Sequence, residues 1–196
     1  MIAYKGFTKE LTATMGKGVY QFKAGEKAVT DKSKTASCGF HCCENPFECL
    51  GYYPLGKGNR YFMVEAEGNI NEDDYERIAC TELTLVKEMT LKEFAGHGMM
   101  YMVKHPAREN WKQTRAHLTV SDADHYTEYI GDIAIVRSAY PKVKGVEGSY
   151  CGLIVEPAPG VITAAKLFTP GEDAKPDTWY TLDVKDRRLV EVQDEV

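Results

Sequence analysis

The sequence predicts an α+β protein: an N-terminal mixed sheet with two short helices over 1–108, followed by a small all-β unit over 109–196. Three observations predict it. Short segments alternate apolar and polar residues with the period of a half-buried strand, two helix starts carry capping residues, and helix formers thin out beyond Asn110. The chain has 196 residues, 43% of them hydrophobic and 27% charged, which is enough to bury a core without disulfides or metal. Disordered and collagen-like classes are excluded by that composition.

Segments 2–7 (IAYKGF) and 18–23 (GVYQFK) read as strands separated by a Thr/Gly-rich turn, and Gly25 to Ser37 as a polar loop. Cys38 to Cys42 reads as a buried strand running into Asn45-Pro46. Asn45 is suited to accept from a free amide, Pro46 is preset for the first helical position, and Glu48 completes a capping box. The helix is predicted over 46–53, closed by Gly51 and Pro54. Segment 60–67 alternates as a strand and 71–76 is an acidic turn. Segment 77–86 is read as a strand with Ile78, Cys80, Glu82 and Thr84 on one face. Thr90 and Glu93 form a second capping box, opening a helix that His105-Pro106 stops.

Beyond Asn110 the strand candidates are 115–120, 126–130, 132–136, 150–155 and 161–168, with a terminal hairpin of 179–184 and 189–192. Segment 126–145 hints at one degenerate turn of a β-solenoid.

Charge is unevenly spread. Residues 1–60 hold nine Lys/Arg against five Asp/Glu, while 61–136 hold seven against fourteen. The basic third lacks aromatic interleaving, so nucleic acid is not an expected partner. No apolar run reaches the roughly 20 residues needed to cross a bilayer, and the first residues lack the apolar stretch of an export signal, so no membrane is expected either.

Of six cysteines, four fall within residues 38–49. Cys38, His41, Cys42, Cys43 and Cys49 are the candidates if zinc is bound, but no C-x-x-C knuckle is present and no metal is expected; cysteine also packs as a small core hydrophobe. A Cys-His nucleophile pair is disfavoured because His41 and Cys42 leave a strand on opposite faces. The carboxylates Glu65, Glu67, Asp73, Asp74 and Glu76 lack calcium-loop spacing and read as solvated. The group most suggestive of a site is Tyr4, Lys5, Gly6, His41, Tyr52 and Tyr53, which the strand–helix junction would gather beside the first strand.

Tyr4-Lys5-Gly6-Phe7, Gly39-Phe40-His41-x-Cys43-Glu44-Asn45-Pro46 and Tyr52-Tyr53-Pro54 resemble the opening domain of an uncharacterised bacteriophage and prophage family. Lys175 to Tyr180 with Leu189 to Val192 resembles its closing β segment. The resemblance implies a phage or prophage origin and no particular function; with the candidate group beside the first strand, the expectation is a non-enzymatic protein that binds a host protein or small ligand in the bacterial cytoplasm, in counter-defence or host takeover. Its ligand-binding residues would be Tyr4, Lys5, Gly6, His41, Tyr52 and Tyr53, with no cofactor and with homo-oligomer contacts through the β unit.

A second likeness is to ADP-ribosyltransferases, carried by Tyr4-Lys5-Gly6, Gly39-Phe40-His41, the two tyrosines and Tyr126 to Ile130. It implies the alternative of an enzyme with NAD held by Tyr4, His41 and Tyr53, and Glu128 as the catalytic carboxylate. A virion structural or accessory protein is a further alternative, and predicts a multimer.

Overall fold

A computed structural model describes residues 1–15, 18–72 and 77–193; Asp73, Asp74 and Glu76 of the acidic turn lie outside the described residues. The chain forms two compact units, Met1–Phe94 and Ala95–Val196, and the division falls inside its α-helix.

The first unit corrects the expected fold class. It is built from β1 (Ile2–Phe7), β2 (Thr12–Met15), β3 (Gly18–Gln21), β4 (Lys27–Val29), β5 (Phe40–Cys43), β6 (Arg60–Glu72) and β7 (Arg77–Glu88). All pairings are antiparallel, and β7, β5, β1 and β6 close on themselves into a four-stranded barrel because β7 also pairs with β6. The protein is 48% strand and 11% helix, so it is mostly β, not an α+β fold with a mixed sheet.

The physical reason lies in where backbone hydrogen bonds go. The segment from Asn45 makes one tight 3₁₀ helix, Pro46–Gly51, capped as expected by the Asn45 side chain accepting from Phe47 N at 3.1 Å. β6 and β7 meanwhile extend to 13 and 12 residues, absorbing segments that the sequence divides into shorter pieces.

Closure needs sharp local curvature, supplied by register shifts at Met63/Val64 and Glu67/Ile70. At the second, Gly68 has φ +75°, and a Cβ there would come within 2.2 Å of Thr81 Oγ1. The irregularity switches the buried face of β7: Ile78 and Cys80 face the core on one side of it, Leu83 and Leu85 on the other. Strict alternation therefore mispredicts Glu82 and Thr84 as partners of Cys80. Inside the barrel, Phe7, Phe22, Phe40 and Phe62 meet edge-on with centroids 5.1–5.5 Å apart.

α1 (Leu91–Lys104) begins with the expected capping box. Glu93 N donates to Thr90 Oγ1 at 3.2 Å, and Thr90 N donates to Glu93 Oε2 at 2.9 Å. No helix among the described residues is long and apolar enough to cross a membrane.

The second unit contains β8 (Gln113–Arg115), β9 (Leu118–Ser121), β10 (His125–Tyr126), β11 (Ile133–Ser138), β12 (Val143–Lys144), β13 (Tyr150–Val155), β14 (Ala164–Phe168), β15 (Trp179–Asp183) and β16 (Arg188–Val192). The chain passes back and forth between two sheets. β9, β11 and β13 stack in parallel in one, flanked by antiparallel β8 and β14; β10 and β12 are parallel in the other, continued by β15 and the terminal hairpin strand β16. Val136, Leu153 and Phe168 of one sheet and Val143, Tyr180 and Leu182 of the other form their common core.

Candidate functional site

The first unit holds a cavity of about 460 Å³, large enough for a small organic molecule. Its wall includes Tyr4, Lys5, Gly6, His41, Tyr52 and Tyr53, so the structure brings that whole group together. Three features of the local fold do this. Tyr4 is in register with Cys43, and Cys43 with Arg77, which sets three strands in one row. The 3₁₀ helix returns the chain over β1, and Tyr53 lies against Gly6 so closely that a Cβ on Gly6 would sit 2.6–2.8 Å from the Tyr53 side chain. Tyr61 Oη donates to Tyr53 O at 2.6 Å and fixes that approach.

Within the wall, Tyr53 is hydrogen-bonded to Thr14, and burial pushes its phenol up, as it does for Tyr4. Tyr52 is exposed at the rim. The polar floor is formed by Lys5, His41 and Arg77, with Cys42, Cys43 and Cys49 beside them. Arg77, Thr14, Ala36 and Ser37 were not legible as site residues. Arg77 carries a signal only in hindsight, as the basic residue that opens a strand after an acidic turn.

Lys5 is the unusual member. It is only 5% exposed, its ammonium donates to His41 O at 2.5 Å, and it lies over the rings of Phe7 and Phe22 at 5.5 and 5.7 Å. Burial drives its pKa down, against the opposing influence of the thiols of Cys42, Cys49, Cys43 and Cys80. His41 is likewise lowered, by burial first and then by the charges of Lys5 and Arg77. Its ring is hydrogen-bonded to the backbone of Lys34 and Gly39, while Nε2 is buried with no hydrogen-bond partner.

The cysteines are reduced and mostly buried. Cys42 is hydrogen-bonded to Cys80 and Cys49 to Cys43, and these contacts together with burial push Cys42 and Cys49 well up, so they are neutral thiols. Such thiols are poor nucleophiles. Among the described residues no three of His, Cys, Asp or Glu are grouped as metal ligands would be, and Cys38 is not part of the cavity wall.

Glu128 lies elsewhere. It lines a groove of about 400 Å³ in the second unit, with His117, His125, Tyr126, Tyr129 and Asp132. There Asp132 bonds His117 Nδ1 at 2.7 Å and accepts from the amides of Glu128 and Tyr129 at 3.1 and 2.9 Å. The four residues that the ADP-ribosyltransferase likeness would set around NAD are thus divided: Tyr4, His41 and Tyr53 on the first unit's cavity, Glu128 on the second unit's groove.

Fold and site together define the first unit as a small closed β-barrel with a cation-floored, tyrosine-rimmed cavity. Residues 1–97 match the family model described as Domain of unknown function (DUF7666), which spans the whole barrel unit. Comparison with curated proteins and with solved structures returned no significant match.

Proposed function

We propose that the barrel is a non-enzymatic binding module whose cavity takes a small ligand with an anionic group and a planar, unsaturated body. One observation carries this: the cavity wall holds Lys5, Arg77 and His41 and no carboxylate among its described residues. A buried amine such as Lys5, with no carboxylate beside it among the described residues, favours an anion in a half-enclosed site. The phenol rings of Tyr4, Tyr52 and Tyr53 supply flat apolar surface for the body of the ligand.

The phage and prophage resemblance of the GFH-x-CENP and YYP motifs supports a host setting, in which the barrel captures a host metabolite, or an acidic group of a host protein, in the bacterial cytoplasm. Sequestering such a molecule would suit counter-defence or host takeover. The second unit would provide rigidity or a contact between copies.

The test is ligand-observed NMR with a panel of aromatic carboxylates and phosphates, combined with native mass spectrometry of the freshly purified protein. Saturable binding that Arg77→Ala weakens tenfold or more, about 1.4 kcal/mol, is the expected result. A panel with no binder, from a protein that retains no small molecule, overturns the reading.

A further inference from the structure

We infer that Lys5 is a covalent anchor: an aldehyde or 2-oxo acid that enters the cavity forms a reversible imine with the Lys5 amine. This rests on the small-ligand reading above and names the reactive group the ligand carries.

Lys5 is a buried amine with no counter-ion among the described residues. It lines the cavity and forms no ion pair among those residues; its polar partner is a backbone carbonyl, and its surroundings are thiols and phenyl rings. An isolated ammonium in such a place is costly, and the cost is relieved either by an anion or by loss of the proton. The groups facing it among the described residues are Cys42 and Cys43 of β5, Cys49 of the 3₁₀ helix, Cys80 of β7 and His41, with Arg77 in the same wall; none of these is a carboxylate. Cys42 and Cys49 are neutral thiols, Cys80 is held lower by its bond to Cys42, and burial outweighs the opposing influence of the thiols on Lys5. The depressed pKa of Lys5 agrees with this geometry.

A deprotonated lysine has a free lone pair and is the strongest nucleophile in this wall. Addition proceeds with ordinary balance. The amine nitrogen bonds to the carbonyl carbon, a proton moves from nitrogen to the former carbonyl oxygen, and water departs with that oxygen as the C=N bond forms. No oxidant or reductant is needed. The unpartnered Nε2 of His41 is a base in the same wall that can relay the proton. Arg77 would hold an acidic group of the same ligand, the arrangement a 2-oxo acid or an aromatic aldehyde acid requires.

The experiment compares 4-formylbenzoate with its alcohol, 4-(hydroxymethyl)benzoate, on the full chain. With cyanoborohydride present at about pH 6.5, the aldehyde should label Lys5 roughly tenfold or more faster than any exposed lysine, since each unit of pKa depression raises the free amine about tenfold. The rate of labelling at Lys5 should rise with pH through a lower midpoint than that of exposed lysines. Lys5→Met should lose this adduct. Adducts confined to exposed lysines, or a Lys5 midpoint equal to theirs, overturn the inference; if the alcohol binds in that case, the small-ligand reading survives. If neither compound binds and Lys5 is not labelled, both fail.

Discussion

Each unit buries one long cation, and the two are treated differently. Arg137 in the second unit is 1% exposed, and its guanidinium donates to both Glu156 oxygens at 2.7 and 2.5 Å and to Pro106 O at 2.6 Å, with the Trp111 ring 4.7 Å away. Lys5 in the first unit is 5% exposed and has a carbonyl, two rings and four thiols, but no carboxylate among the described residues. A planar, permanently charged fork with a bidentate partner is a structural tie. The proposed binding and imine formation rest on an amine with no carboxylate among its described neighbours. The difference separates a cation tied to a carboxylate from one that is not.

The comparison breaks most visibly if the two partners are removed. Glu156→Ala leaves Arg137 charged and buried, and should cost about 3–5 kcal/mol by denaturant unfolding. Lys5→Met, which removes an unpaired buried amine and fills the same volume, should leave the unfolding midpoint unchanged or raise it. Equal destabilisation by both would show that Lys5 is also a structural tie.

Gly6→Ala tests the cavity side. The new Cβ would meet Tyr53 at its Cβ and ring base, the parts of the side chain least able to move. A loss of about 1–3 kcal/mol is expected, with weakened binding of the aromatic carboxylate panel. Tyr53→Ala in the Gly6→Ala background should recover stability and not binding. A neutral effect of Gly6→Ala on both would remove Tyr53 from the cavity wall.

The two cations also differ in pH dependence. Lys5 is lowered in the folded state, so between that depressed value and the ordinary lysine value of 10.5 the unfolded chain binds more protons, and stability should rise with pH, with a slope of up to about 1.4 kcal/mol per unit. Below that window the penalty of charging Lys5 is fully present. Lys5→Met should flatten this alkaline rise. Glu156 is lowered by Arg137, so its contribution is present above 4.5 and is lost as pH falls through its depressed value. Urea titrations of wild type, Lys5→Met and Glu156→Gln across pH resolve the two windows.

The grouping of Tyr4, Lys5, Gly6, His41, Tyr52 and Tyr53 was legible because it depends on short-range features. Asn45-Pro46 turns the chain directly after His41, and Gly51 ends the turn within reach of the first strand. Arg77 was not legible, since it enters the wall through a pairing between strands distant in sequence, and Thr14 was not, since it reaches the wall by its hydrogen bond to Tyr53. Barrel closure was hidden for the same reason. Nothing local in Arg60–Glu72 or Arg77–Glu88 states that β7 will pair with β5 on one edge and β6 on the other. The parity switch between Cys80 and Leu83 further disguised β7, because strict alternation breaks wherever an irregularity inserts a residue.

By itself, then, the sequence determined the short-range geometry: the capped turn at Asn45, the capping box at Thr90, and the clustering of tyrosines and cysteines beside the first strand. Local hydrogen bonds and backbone preferences suffice for these. Tertiary structure alone decided that the strands close into a barrel and that Lys5 is enclosed with no carboxylate among its described neighbours. Both depend on which distant chains supply partners for backbone groups and for charge.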